Sequence, residues 1–204
     1  MAPSSLWLVG AGEDASGTVR RCPMKHKEKR SPKNTMLSDH TLLVLARSKA
    51  GVKKAVVISP TQVETAPWVR LKCQFGCGGY GQCLVCPPFT PTPEQTRGVL
   101  DSYSRAILLH FSPGIDVKSI IVELEREIFL KGAWKAFGLG AGPCSLCKRC
   151  SLKMGHCRHS ESARPAMEAC GIDVFSTVRK VGFKIKVIET MQECPNYFGL
   201  VLVD

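Results

Sequence analysis

Eight of the eleven cysteines lie in two short stretches, and their spacing is the part of this sequence that could do chemistry. The sharper stretch is Cys144-Ser-Leu-Cys147-Lys-Arg-Cys150, with Cys157 following after six residues. Two-residue spacers let a chain curl so that successive sulfurs reach neighbouring corners of one compact object, and C-x2-C-x2-C is the leading half of the bacterial iron–sulfur pattern. The same spacers turn backbone N–H groups towards the sulfurs, where hydrogen bonds tune the centre. A tetrahedral zinc ion normally takes one C-x2-C pair and a second pair farther along. A third cysteine in immediate phase therefore points first to iron–sulfur, then to zinc, and last to unmetallated thiols. No C-x3-C-P follows Cys150, so a fourth ligand must be Cys157 or come from elsewhere. His156 and His159 flank Cys157; either could serve a zinc ion, but they read more simply as exposed bystanders.

The other stretch is Cys73-x3-Cys77-x5-Cys83-x2-Cys86-Pro87-Pro88, and its Gly78-Gly79-Tyr80-Gly81 centre permits close backbone approach to a bound group. Cys86-Pro87 is like the terminal Cys-Pro of an iron–sulfur run, although this stretch alone suits zinc equally. The 57 residues between Cys86 and Cys144 exceed the roughly 15–20 of a zinc module built from two C-x2-C pairs. Cys22, Cys170 and Cys194 stand alone and read as buried or incidental thiols. Gly138-Leu-Gly-Ala-Gly142 is only faintly like a dinucleotide loop, since a cysteine stretch rather than a helix follows it. No Ser–His–Asp order, carboxylate pair or phosphate loop marks a catalytic base or nucleophile.

These loops need a scaffold. Helices are expected over 37–50, capped by Ser38; from Thr92 to about Tyr103, with Thr92 and Gln95 forming a capping box; over 117–131, capped by Asp116; over 161–170; and over 174–181, capped by Asp173 and stopped by Gly182. Glu127 and Lys131 are placed to form an i,i+4 pair on the third of these. Strands are expected at Ala55–Ile58, Val69–Cys73, Arg105–Phe111, Ala136–Gly140, Phe183–Ile188 and Tyr197–Val203. The almost unbroken apolar run of 105–111 marks a central strand. Helices alternating with strands predict an α/β fold, with α+β as the variant: a single sandwich-type domain carrying two cysteine-rich loops.

Composition sets the limits. A chain of 204 residues with 44% hydrophobic residues can bury one core. Residues 1–35 carry seven Lys/Arg and three Asp/Glu, show no hydrophobic period, and read as a disordered basic tail or as sequence upstream of a true start at Met36. Removing that +4 from the total of +11 leaves +7 on residues 36–204. No basic helix or aromatic–basic alternation accompanies the charge, so nucleic acid is not the favoured partner. No apolar run approaches the roughly 18 residues of a membrane span. The N-terminus has no basic n-region, so no signal peptide is read and a cytoplasmic location is expected. Thiols stay reduced there, which favours metal ligation over disulfides.

Four segments carry a resemblance: GCGGYGQCLVCPPFTPTPEQTR (76–97), KAFGLGAGPCSLCKRC (135–150), CRHSESARPAMEACGIDV (157–174) and NYFGLVLVD (196–204). Together they resemble the DUF2284 family, found largely in anaerobic bacteria and archaea and described only as predicted metal-binding proteins. The resemblance spans about residues 50–204. It implies metal at both loops, with Cys73, Cys77, Cys86, Cys144, Cys147, Cys150 and Cys157 as family positions and Cys83 as a less regular one. It leaves the reaction open.

The leading expectation is a metal-binding protein with an iron–sulfur cofactor, one or two [4Fe-4S] clusters, acting as a one-electron carrier or redox accessory protein. The charge of residues 36–204 would suit an acidic redox partner. The alternatives are a structural zinc protein and an enzyme whose cluster keeps an open iron site. Three thiolates in the first stretch, without Cys83, would leave such an opening.

Overall fold

A computed structural model describes residues 36–190, 192–193 and 195–204. The expected tail at 1–35, with Cys22, and the isolated Cys194 lie outside the described residues. Four strands, β1 (Val52–Ile58), β2 (Ala106–Phe111), β3 (Phe137–Leu139) and β4 (Tyr197–Leu202), form one sheet in the order β1-β2-β4-β3. Every neighbouring pair is antiparallel, so the mixed fold takes its α+β form. β2 is central, and its apolar run is buried on both faces.

The helices are α1 (Asp39–Arg47), α2 (Pro67–Gly76), α3 (Pro93–Leu100), α4 (Val117–Leu130) and α5 (Val174–Lys180). Ser38, Thr92, Asp116 and Asp173 each accept a backbone N–H at a helix start, which leaves fewer orphan donors in the first turn. One core joins Leu42 and Ala46 of α1 and Ile121, Leu124 and Ile128 of α4 to the sheet residues Ile107, Leu109, Phe111 and Val201. The other joins Leu100, Met167, Cys170, Ile172 and Val178 to Leu108, Phe198, Leu200 and Leu202. The sheet is thus covered on both faces.

Two glycines let α4 lie close on the sheet. A Cβ on Gly199 would stand 2.8 Å from Ile121 Cδ1, and one on Gly138 would stand 2.3 Å from Ile121 Cγ2. The residue that fills both gaps is the fully buried Ile121.

Four local expectations are corrected. Val69–Cys73 belongs to the helix α2, not to a strand. Its apparent alternation fails because Leu71 is 56% exposed, while the Arg70 guanidinium points inward and donates to Thr90 Oγ1, Pro91 O and Ala169 O. The expected helix over 161–170 is reduced to a 3-10 turn at Glu168–Cys170. Pro165 lacks an N–H, its carbonyl accepts from Gly140 N, and Met167 N donates to Gly140 O. That segment is held by the end of β3 instead. Phe183–Ile188 is not a strand; Phe183 is buried in the core beside Phe198, while Val187 is 64% exposed and has no ladder to join. Glu127 pairs with Lys49 rather than Lys131: the Lys49 ammonium, 8% exposed, bridges Glu123 and Glu127 at 2.7 and 2.6 Å.

Candidate metal centre

Cys73 sits on the last turns of α2 and Cys77 caps its end. Arg70 fixes this helix by tying it to Thr90, Pro91 and Ala169, so the position of Cys73 is set by packing as well as by the loop. Cys73 Sγ lies 3.9 Å from the Glu168 carbonyl oxygen.

Beyond Cys77 the chain makes a run of tight turns. Tyr80 N donates to Cys77 O, Gln82 N to Gly79 O, Cys86 N to Cys83 O and Phe89 N to Cys86 O. Gly81 has φ +67°, a left-handed conformation that glycine adopts without steric cost; its N–H closes the loop on Pro87 O at 2.7 Å. Gly79 lies between two sulfurs, since a Cβ there would be 3.5 Å from Cys86 Sγ and 3.6 Å from Cys77 Sγ. Cys86 is buried, Cys77 exposed, and Cys73 half-buried. Burial raises the thiol pKa of Cys73 and Cys86 above the ordinary cysteine value; Cys77 adds to both, while Lys118 and a hydrogen bond with Cys83 pull Cys86 back down.

The second loop runs from β3 to the turn at 168–170. Cys144, Cys147, Cys150 and Cys157 are all half-buried on it. Its far end is clamped by Arg164, whose guanidinium meets the Glu125 carboxylate of α4 through two bonds of 2.7 and 2.6 Å.

The structure brings the two loops face to face. Leu84 N donates to Cys150 Sγ at 3.4 Å, across 66 residues of sequence. Cys83 responds to the charges of Cys144 and Cys150 of the other loop as well as to Cys86. Cys73, Cys77 and Cys86 act on one another, and Cys83 lies within reach of Cys86 of its own loop as well as of Cys144 and Cys150 of the other. Burial pushes the Cys83 thiol up to about 12. Gly79 N donates to Cys77 Sγ and His159 N to Cys157 Sγ, both at 3.4 Å. Backbone donors of this kind favour a thiolate, bare or metal-bound. His156 is exposed, with Nδ1 3.0 Å from Met154 O, and His159 Nδ1 lies 4.0 Å from Glu161. Among the described residues no three His, Cys, Asp or Glu side chains are gathered into a group that could hold an ion as they stand.

Two observations bear on whether this region suits a metal. The donor set is thiol-rich, which matches soft cations and iron–sulfur clusters. The second is Lys118, on the first turn of α4, a residue that no motif marks. Its Nζ is buried with no hydrogen-bond partner among the described residues. Burial lowers its pKa, while Cys144, Cys86 and Cys83 pull it back up. A buried ammonium without a partner is costly; a thiolate-bound metal centre is anionic and would supply one. The residues present fit such a group.

Cys170 belongs to the scaffold. It is 3% exposed in the core, and burial pushes its thiol up to about 12. The thiolate is the reactive form, so Cys170 of native, metal-free protein will label with a maleimide at pH 8 orders of magnitude more slowly than the exposed Cys77. Mass spectrometry of a labelling time course checks this. Labelling of Cys170 at the Cys77 rate would mean that the core opens there. Cys170→Ala should cost a few kcal/mol at most and leave metal content unchanged.

A family model described as "Predicted metal-binding protein (DUF2284)" matches residues 56–203. Neither the search of curated proteins nor the search of solved structures gives a match. Among the described residues no helix is long and apolar enough to cross a membrane.

Proposed function

Because the chain belongs to this DUF2284 family of predicted metal-binding proteins, we propose that its two cysteine loops together hold iron–sulfur, one or two [4Fe-4S] clusters, and that the protein carries single electrons to a partner. The observation that supports it best is the meeting of two loops 57 residues apart, with the Leu84 amide on Cys150 Sγ and Cys83 within reach of the charges of Cys144 and Cys150. In this reading Cys73, Cys77 and Cys86 serve one neighbourhood, and Cys83, Cys144, Cys147, Cys150 and Cys157 supply the other. A bound cluster would contribute one-electron redox chemistry. The chain sets its potential through burial and through N–H donors to sulfur such as those of Gly79, Leu84 and His159. The charge of +7 on residues 36–204 favours an acidic partner. Trp68, Leu71 and Phe75, exposed along one face of α2 beside the first loop, offer such a partner apolar contact. Reduced thiols on this scale suit a cytoplasmic setting.

A second reading, an enzyme with an open iron site, is favoured by one feature. A cavity of about 300 Å³ opens against Cys144, lined also by Ser119, Val122, Arg126, Leu146 and Ser162. If Cys83 serves the second loop, the first loop keeps three thiols.

Anaerobic purification followed by iron, sulfide and zinc analysis tests the proposal. Iron and acid-labile sulfide in similar amounts, with a visible absorbance that dithionite bleaches reversibly, are expected. Zinc without sulfide would replace the proposal with the structural zinc reading. A centre that bleaches and also changes its spectrum on adding small carboxylates would favour the open-site enzyme.

A further inference from the structure

We infer that Lys118 is the counter-cation of the metal centre: its ammonium lies between the two cysteine loops and donates to the anionic thiolate assembly that Cys83, Cys86 and Cys144 help to form. This rests on the proposal that these thiols hold metal.

The geometry that carries it begins with the backbone. Lys118 is fixed on the first turn of α4, where Asp116 caps the helix. Gly140, at the end of β3, lets that turn approach: a Cβ on Gly140 would stand 2.7 Å from Lys118 Cγ and 3.5 Å from its Cα. Gly140 cannot drift away, because its N–H donates to Pro165 O and its carbonyl accepts from Met167 N. The lysine stem is therefore packed, and its Nζ is buried.

The obvious neighbouring carboxylate is already engaged. Asp116 accepts from Ser119 N at 3.2 Å and Ser119 Oγ at 2.7 Å. Among the described residues no carboxylate forms an ion pair with Lys118. Lys118 lines the same cavity as Cys144 of the second loop; the charges that raise its pKa against burial are first those of the thiols Cys144, Cys86 and Cys83, and the Glu168 carboxyl also feels the ammonium without bonding it. An ammonium has three N–H donors and no acceptor, so it can serve sulfurs from both loops at once. A purely structural lysine would be hydrogen-bonded by the protein itself; this one has no such partner among the described residues, and anionic sulfurs would supply it.

The consequence separates the two states of the protein. In metal-free protein Lys118 is a buried, unpaired charge, and Lys118→Met removes a penalty. In loaded protein the same substitution removes a charge-assisted donor from the centre. The two effects have opposite signs, which a merely structural role would not produce.

The test compares full-length wild type, Lys118→Met and Lys118→Arg, each metal-free and each loaded anaerobically with iron and sulfide. Metal-free Lys118→Met should melt no lower than wild type. Loaded Lys118→Met should lose iron to a chelator about 10–100-fold faster than wild type, the usual range for an outer-shell partner, and its midpoint potential should move negative. Lys118→Arg, which keeps the charge, should restore most of the chelator resistance. Equal iron loss from loaded wild type and Lys118→Met would overturn the assignment and leave the metal reading intact. A matching fall in stability of metal-free and loaded Lys118→Met, unrelieved by arginine, would also overturn it by making Lys118 a packing residue. Wild type that takes up no metal under these conditions would overturn both this assignment and the reading beneath it.

Discussion

Replacing Cys147 by alanine should strip the protein of metal and of solubility together. Cys147 is the middle residue of the C-x2-C-x2-C run, and it is half-buried on a loop with little regular structure. Removing a ligand opens one corner of the centre to water and releases the segment that the ligand pinned. The apparent metal-binding energy of small zinc modules, about 10–16 kcal/mol, is comparable to or larger than a typical domain's stability of about 5–15 kcal/mol. Loss of the centre is therefore felt in folding yield as well as in metal content. Cys150→Ala should behave alike.

Cys83→Ala is the more informative partner. Spacing alone puts Cys83 with the first stretch; we assign it to the second, because it is within reach of the charges of Cys144 and Cys150 as well as of Cys86 and its neighbour Leu84 donates to Cys150 Sγ. It should therefore weaken the same spectral signal that Cys147→Ala removes, and leave the signal removed by Cys77→Ala. Metal analysis with absorption and paramagnetic resonance spectra of the four variants checks this. A Cys83→Ala protein that matches Cys77→Ala would return Cys83 to the first stretch. Full metal in Cys147→Ala alongside loss in Cys170→Ala would show that the ligands have been misassigned.

The elements that bury a face were legible because burial leaves a period in the sequence. α4 shows Val117, Ile121, Leu124 and Ile128 on one side, β2 shows an unbroken apolar run, and four helix starts show their caps. α2 was misread as extended because Val69, Leu71 and Cys73 alternate; its helical side is stabilised by Arg70, a polar residue whose acceptors lie on Thr90, Pro91 and Ala169, outside any local window. The segment 161–170 was misread as a helix because Ser160 looks like a cap, while its true partner, Gly140, is remote in sequence. The cysteine positions could be read from spacing. Which loop Cys83 serves, and that the Lys118 Nζ is buried near both loops, depend on how two loops separated by α3, β2, α4 and β3 come together. No pattern within either loop encodes that. The Glu125–Arg164 pair was hidden for the same reason.

Glu125→Ala should cost about 3–5 kcal/mol, the range for removing one partner of a buried ion pair. The side chains of Glu125 and Arg164 are only 12% and 13% exposed, respectively. Exposed pairs contribute about 0–1 kcal/mol, so burial is what makes the difference. Three groups lose their acceptor at once: Arg164 Nε, Arg164 Nη2 and Gly138 N, which donates to Glu125 Oε2 at 2.7 Å. Gly138 is on the edge strand β3 and pairs only with β4, so its freed amide has no second ladder to join. Glu125→Gln keeps the shape and one of the two acceptor oxygens without the charge, so it should cost less than Glu125→Ala but not restore the wild type. Glu125→Leu with Arg164→Met removes both charges and should recover much of the loss. Urea denaturation of the metal-free proteins measures these differences. The loaded proteins add a second measure. Arg164 follows Cys157 by seven residues and ties that end of the second loop to α4, the helix that carries Lys118. Loosening it should speed metal loss to a chelator, though by less than Cys147→Ala does, because every thiol is still present. A Glu125→Ala protein within about 1 kcal/mol of wild type would place the pair among ordinary surface contacts and leave the second loop to be positioned by its metal alone.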